Sequence, residues 1–250
     1  MKSLENNKYY RNYLFDLYGT LVDIHTDERS DEFWAEFQNE LEKYGAALPA
    51  AWLREYYENS VRTMEARARA AMPEGEPEID LLPVFEAFLK EGGIGATTED
   101  AVKLAERFRM LSIRKLQLFD GAAELLKTLR DHGRKVYLLS NAQTIFTRPE
   151  LRALGLEELF DGTLLSAEAG RKKPDSLFYR ALLDKYGLDP EETIMVGNDD
   201  VADCHGAAAA GLDSLYIYTE QSPKPVKPLP ENCRQIACIA DVFDTVANMV

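Results

Sequence analysis

From Asp120 onward the chain alternates helical and extended patterns, and this alternation limits the fold more than any other feature. Gly121 to His132 has helical spacing and closes on Gly133, a residue suited to the left-handed position after a helix. Lys135 to Leu139 is a short apolar strand ending on Ser140-Asn141, Gly162 to Leu165 is another strand, and Asp175 to Tyr186 is a helix. Thr193 to Val196 is apolar and stops at Gly197-Asn198-Asp199-Asp200. A small-residue helix, Ala207 to Ala210, precedes Gly211 and a strand over Asp213 to Tyr218. Ser222 to Pro230 is a proline-rich loop, Ile236 to Ile239 reads as an edge strand, and a last helix follows. This order predicts a parallel sheet joined by right-handed crossovers.

A further strand stands far upstream. Tyr13-Leu14-Phe15 is an unbroken apolar run, as a fully buried parallel strand requires, and it ends on Asp16. The Gly19 that follows signals a sharp exit, which puts Asp16 at the strand's carboxyl edge, where open α/β sheets hold their chemistry. Between this strand and Asp120 lies a long, charged stretch of helical periodicity, about Ile24 to Leu118. Phe33, Trp34, Phe37 and Leu41 recur at helical spacing, as do Trp52, Tyr56 and Val61 on a second helix. Pro73 to Pro77 interrupts the pattern, Asp80 to Leu89 resumes it, and Gly92-Gly93 followed by Thr97-Thr98-Glu99-Asp100 marks a loop and the N-cap of the next helix. Four helices predict a small inserted bundle.

Composition excludes several classes of partner. The chain's 250 residues can bury a core without staples. Its formal charge of −14 argues against a nucleic-acid or anionic-membrane surface, which needs clustered cations. Met1 to Arg11 is polar and lacks the apolar region of a signal peptide, and no apolar run approaches the length of a membrane span. Cys204, Cys233 and Cys238 are odd in number and show no metal-site spacing, which suits a reducing compartment. His25, His132 and His205 show no ligand spacing either. The expectation is a cytoplasmic protein, monomer or homodimer, acting on a small molecule, with no nucleic-acid or membrane partner.

A parallel sheet brings its strand ends to one rim, where Asp16, Ser140, Lys173, Asn198, Asp199 and Asp200 gather, with Asp203 one helical turn beyond Asp199. An aspartate at a dry strand end serves as a nucleophile when nearby cations keep it ionised. Lys173 is placed to neutralise both it and an anionic substrate, while Ser140, Thr20 and backbone N–H groups are suited to hold substrate oxygens. Asp16 with Asp199 forms a carboxylate pair suited to Mg²⁺.

Taken in order, these residues resemble the haloacid dehalogenase-like hydrolases. The first family motif is Asp16-Leu17-Tyr18-Gly19-Thr20, the second Leu139-Ser140-Asn141, and the third Lys173-Pro174, with Lys172 adjacent. The fourth is either Asp199 with Asp203, Asn198 standing where Gly is usual, or Asn198 with Asp203; the first pairing supplies two acids. The resemblance implies a Rossmann-like α/β core with a parallel sheet, residues 1–22 and 119–250, and an inserted all-helical cap domain, residues 23–118. It implies catalytic roles for Asp16, Thr20, Ser140 and Lys173, and substrate contacts from Tyr18, Gly19 and Asn141. It also implies a Mg²⁺ site from Asp16, the Tyr18 carbonyl, Asp199 and Asp203. Asp200 is either metal support or a helix N-cap.

Tyr18 occupies the position where family phosphatases carry the aspartate that protonates the leaving group. A phenol with pKa about 10 is a poor donor there at neutral pH. Two enzymatic expectations follow: a Mg²⁺-dependent phosphatase acting on a small phosphorylated metabolite with a good leaving group, or a metal-independent 2-haloacid dehalogenase, in which Tyr at this position is typical. The dehalogenase branch places an Arg after a Trp in the cap, yet Trp34 is followed by Ala35-Glu36-Phe37-Gln38-Asn39-Glu40. Arg29 and Arg54 are substitutes that no spacing selects, and Arg62, Arg67, Arg69 and the Glu74 to Asp80 loop are candidates for contacting the leaving group. The acids of the fourth motif favour the phosphatase. A regulatory protein with a weakened site is the third expectation.

Overall fold

The computed structural model describes residues 10–242 and residue 245. In chain order, β1 (Asn12–Phe15) leads through β2 (Val22–Thr26) into α1 (Asp31–Glu42), α2 (Ala50–Ala71), α3 (Leu82–Glu91) and α4 (Thr98–Ser112), and the chain returns through β3 (Ile113–Leu118). There follow α5 (Ala122–Asp131), β4 (Lys135–Ser140), α6 (Thr144–Ala153), β5 (Gly162–Leu165), α7 (Ser166–Ala169), α8 (Ser176–Tyr186) and β6 (Thr193–Gly197). A π-helical turn, Asp200–His205, runs into α9 (Gly206–Ala209), then β7 (Asp213–Ile217) and β8 (Cys233–Ile236).

Six strands form one parallel sheet in the order β5-β4-β1-β6-β7-β8. This is the expected α/β, Rossmann-like architecture. β1 lies between β4 and β6, with Phe15 level with Leu138 on one side and Val196 on the other. Successive side chains of a strand point to opposite faces, and both faces are covered. Tyr13, Phe15, Val136, Leu138, Ile194 and Val196 pack with Leu126 and Leu129 of α5. Leu14, Tyr137, Leu139 and Met195 pack with Phe178, Tyr179 and Leu182 of α8. Burial on both faces is why these strands carry unbroken apolar runs.

The four helices α1 to α4 share a separate aromatic core, in which Phe33, Trp34, Phe37 and Leu41 are fully buried as their spacing predicted. Phe108 of α4 stands at its centre, with ring centroids of Phe33, Phe37, Tyr57 and Phe85 at 4.9, 5.0, 5.1 and 5.3 Å. Phe146 of α6 packs into the same cluster, so a sheet-side helix completes the core of the insertion.

The stretch expected to be all-helical differs at both ends, where β2 and β3 pair antiparallel in a two-stranded ribbon, Val22 opposite Leu118 and Ile24 opposite Leu116. In β3, Leu116 and Leu118 alternate with exposed Lys115 and Gln117. That two-residue period is short enough to be hidden beside a long helical pattern. α6 carries Pro149 in its interior, which obscures its helical signature. The edge strand falls three residues earlier than Ile236 to Ile239, because Cys233 pairs with Ser214. The closing helix begins at Asp241 and its remainder lies largely outside the described residues, as does most of the polar N-terminus. Among the described residues no helix is long and apolar enough to cross a membrane.

Truncating Phe108 to Ala removes the ring around which the helical core is built and is expected to cost about 3–5 kcal/mol of stability, measured as a shift in urea midpoint with unchanged slope.

Candidate active site

The carboxyl ends of β1, β4 and β6 meet around a cavity of about 180 Å³. Its walls are Asp16, Tyr18, Ser140, Asn141, Lys173, Asn198, Asp199, Ala202, Asp203, Gln221 and Pro223. At its centre the Lys173 ammonium, 3% exposed, lies 2.6 Å from Asp16 Oδ1 and 2.7 Å from Asp203 Oδ1. Burial by itself drives a lysine towards neutrality, but the two facing carboxylates outweigh it and hold the Lys173 pKa above its ordinary value. The burial of Asp203 pushes its carboxyl up to about 7, with Lys173 pulling it down and the Asp16 charge adding to the rise.

Each group is aimed by its neighbours. Ser140 Oγ donates to Asp16 Oδ1 at 3.1 Å, so Oδ1 takes two hydrogen bonds while Oδ2 takes none among the described residues. Asn141 clamps the lysine loop in both directions, its Nδ2 donating to the Lys173 carbonyl at 3.0 Å and its Oδ1 accepting from the Lys173 N–H at 2.8 Å. Asp203 Oδ2 accepts from the Asp199 N–H at 2.9 Å. Asp199 Oδ1 in turn caps the π-helical turn, accepting from the Val201 and Ala202 N–H groups at 2.9 and 2.8 Å. A Cβ on Gly197 would lie 2.2 Å from the Asp203 carboxylate, so glycine leaves the room that the carboxylate needs.

Several expected site residues stand differently in the fold. Thr20 is buried and donates to Asn198 Oδ1 at 3.2 Å; it is absent from the cavity wall and ties the loop after β1 to the end of β6. The Gly19 N–H, expected to meet substrate, donates instead to the Val22 carbonyl at 2.8 Å. Gly19 has φ +85°, and a Cβ there would lie 2.2 Å from Asn198 Nδ2, so this close approach requires glycine. Asp203, expected on the metal, directs one carboxylate oxygen to Lys173 and the other to the Asp199 N–H. Asp200 is fully buried; its Oδ2 accepts from Val226 N–H at 3.0 Å, while Asp199 provides the N-cap. Lys173, rather than Lys172, enters the cavity, because the Lys172 N–H is bound to the Glu76 carbonyl and only the next residue is clamped by Asn141.

Tyr18 reaches away from Asp16 into a buried cluster. Its hydroxyl donates to Glu150 and lies 3.0 Å from Thr147 Oγ1. Burial, together with the Glu150 charge, holds the phenol pKa far above its ordinary value. Arg109 of α4 completes the cluster, with Nε 2.6 Å from Glu150 and its guanidinium 5.9 Å from the Tyr18 ring centroid. Sequence reasoning singled out neither Glu150 nor Arg109. Of the arginines it named, Arg54 pairs with Asp31 and Glu58, and Arg69 with Glu76. His205 is half-buried and bonds the Pro228 carbonyl at 3.1 Å.

The fold and the cluster define an α/β enzyme whose acidic residues and single lysine meet at the carboxyl rim of a parallel sheet. The chain belongs to the haloacid dehalogenase-like hydrolases, whose family model matches residues 10–211. It is 32% identical over 186 residues to a phosphoserine phosphatase of Thermus thermophilus, covering 74% of this chain and 70% of that one. It is also 25% identical over 240 residues to (S)-2-haloacid dehalogenase 4A of Burkholderia cepacia, covering 95% of each. Against the other leading curated relatives the matched region spans 50 to 62% of their length. Its fold resembles that of the Bacillus subtilis protein YfnB, described as a HAD-hydrolase bound to magnesium, with TM-score 0.55, 21% identity and 95% and 99% of the two chains covered.

Two substitutions test this geometry. Gly19→Ala is expected to destabilise the protein by about 1–3 kcal/mol, since it forces an L side chain to positive φ against Asn198. Lys173→Met leaves Asp16 and Asp203 facing each other unpaired and is expected to cost about 3–5 kcal/mol at neutral pH. Both are read from chemical denaturation.

Proposed function

We propose that this hydrolase is a Mg²⁺-dependent phosphatase acting on a small soluble phosphate ester with a good leaving group. The observation that carries the proposal is the charge of the cavity wall. Asp16, Asp199 and Asp203 face a single cation, Lys173, which is already bound to two of them. The wall carries net −2 when all three acids are ionised and still −1 when Asp203 is protonated. Any anionic substrate, phosphate or haloacid, is repelled from such a wall unless a cation comes with it. A metal-independent dehalogenase lacks that cation, and the phosphatase reading supplies it.

The donor set fits a hard divalent ion. Among the described residues no three His, Cys, Asp or Glu side chains form a metal cluster by themselves. Mg²⁺ commonly takes only one or two carboxylates and keeps several waters. Asp16 and Asp199 each retain a carboxylate oxygen without a hydrogen bond, and the Tyr18 carbonyl accepts none among the described residues. These three residues would hold the ion, which when bound neutralises charge on the phosphoryl oxygens.

The protein's own groups divide the remaining work. Lys173 and Ser140 grip the Asp16 carboxylate through Oδ1 and keep it ionised and aimed at phosphorus as the nucleophile. The P–O bond to the leaving group breaks as the Asp16–phosphorus bond forms, and water then cleaves the aspartyl phosphate to phosphate and free Asp16. Tyr18 does not protonate the departing oxygen, since its proton is held by Glu150 and its pKa is far above neutrality. The leaving group therefore departs as the anion or takes its proton from water, which favours aryl and acyl phosphates over alkyl ones.

Phosphate release from p-nitrophenyl phosphate is expected to require Mg²⁺, to stop on EDTA addition, and to be lost in Asp16→Asn while the unfolding midpoint is retained. Metal-independent chloride release from 2-chloropropionate, abolished by the same substitution, would replace this function with the dehalogenase.

A further inference from the structure

All of the residues lining the cavity lie outside the helical insertion, and one part of the wall comes from the loop between β7 and β8, through Gln221 and Pro223. This loop is held at several points. Thr219 Oγ1 donates to the Gly19 carbonyl at 2.9 Å, Ser222 Oγ accepts from the Thr219 N–H at 2.9 Å, and the Val226 N–H donates to buried Asp200 at 3.0 Å. Pro223, Pro225, Pro228 and Pro230 restrict its backbone further. A side chain presented from such a support is fixed before substrate arrives.

Gln221 is fixed at one end only. Its Nε2 donates to Asp23, a carboxylate that also faces Lys115 and Gln117 of β3. This assigns the amide orientation and leaves Oε1, a pure acceptor, without a partner among the described residues. Around it the cavity has acids, two other amides and a proline, and its one cation is engaged by Asp16 and Asp203. Asn141 is committed to the backbone of Lys173, and Asn198 Oδ1 to Thr20. Gln221 Oε1 is thus a neutral amide acceptor of the wall that is uncommitted among the described residues and placed to read what lies beyond the phosphoryl group.

We propose that Gln221 is a specificity-determining residue whose Oε1 accepts a hydrogen bond from a hydroxyl or ammonium group on the leaving group, and that its surroundings select against esters carrying a carboxylate. The proposal rests on the phosphatase function above and names its substrate class: small phosphate esters with a hydrogen-bond donor and no second anion. Selectivity on this view comes from the β7–β8 loop. The helical insertion adds no residue to the cavity wall; it supports the site from behind, through Arg109 on Glu150 and through Asp23 on Gln221.

The test uses the full chain with Mg²⁺ and reads inhibition constants against p-nitrophenyl phosphate, so that no turnover of the inhibitor is needed. Glycerol phosphate and propyl phosphate are matched in chain length and differ in hydroxyls; phosphoethanolamine supplies the ammonium and phosphoglycolate the carboxylate. In the native protein, glycerol phosphate or phosphoethanolamine is expected to bind about 5-fold or more tightly than propyl phosphate, the effect of one neutral hydrogen bond, and phosphoglycolate more weakly. The member of the donor pair that shows the gain identifies the group recognised. In Gln221→Met, which keeps the side chain's length and removes the amide, the ratio is expected to fall to about 1. Asp23→Asn, which weakens the anchor, is expected to give an intermediate ratio. Equal binding of all esters by the native protein, a ratio retained in Gln221→Met, or tightest binding of phosphoglycolate would overturn the proposal and leave the phosphatase function standing. Absence of p-nitrophenyl phosphate turnover under all conditions would overturn both, and a native unfolding midpoint in each variant excludes misfolding as the cause.

Discussion

The ammonium of Lys173, buried between Asp16 and Asp203, is the interaction on which the rest of the site depends. An isolated charge in that position carries a desolvation cost of several kcal/mol, and the two carboxylates offset it only because both are held at hydrogen-bond distance. Each partner comes from a different strand end. Asp16 follows β1, Asp203 follows β6, and Asn141 after β4 grips the lysine backbone. The parallel sheet therefore does more than carry the site. Its register is what allows one lysine to neutralise acids 187 residues apart in sequence.

The loop after β1 is tied as tightly as the lysine. Gly19 passes against Asn198 where a Cβ would collide, Thr20 bonds the same asparagine, and the Gly19 carbonyl receives Thr219 from the far loop. Residues that family resemblance marks as touching substrate thus serve here to fix the distance between β1 and β6. Tyr18 adds a connection of another kind. Through Glu150 it reaches Arg109 on α4, so the helical insertion meets the nucleophile loop by a buried ion pair. With Phe146 packed into the insertion's aromatic core, the two parts share side chains along α6.

The sheet strands were legible because burial on both faces forces apolar runs bounded by polar residues, and Asp16, Ser140 and Asn141 could be placed on one rim from those boundaries; Lys173, read as another strand end, stands instead in the loop between α7 and α8. The ribbon of β2 and β3 was not legible. One face of it is wet, its apolar positions are few, and its two halves lie on either side of the four inserted helices. Glu150 and Arg109 also escaped, since a glutamate and an arginine on helical surfaces normally signal solvent; only packing shows that Glu150 is buried and Arg109 half-buried against Tyr18. Thr20 and Gly19 were found as residues, but their partners within the protein, Asn198 and Val22, were not, because a motif records position in the chain and says nothing of which way a side chain or N–H points.

Sequence alone determined the class of fold, the order of the strand ends and the chemical types gathered there: an aspartate, a serine, a lysine and a run of acids. Local pattern and strand polarity suffice for these, because a parallel sheet sends every strand's carboxyl end to the same edge. Tertiary structure decided which oxygen of Asp16 is left free, that Asp203 faces Lys173, that Tyr18 is turned into a buried cluster, and that Gln221 closes the cavity wall. Those outcomes depend on hydrogen bonds, of 2.6 to 3.1 Å around Asp16, Asp203 and Tyr18, between residues remote in the chain, and contact at that range is set by packing and leaves no trace in residue spacing.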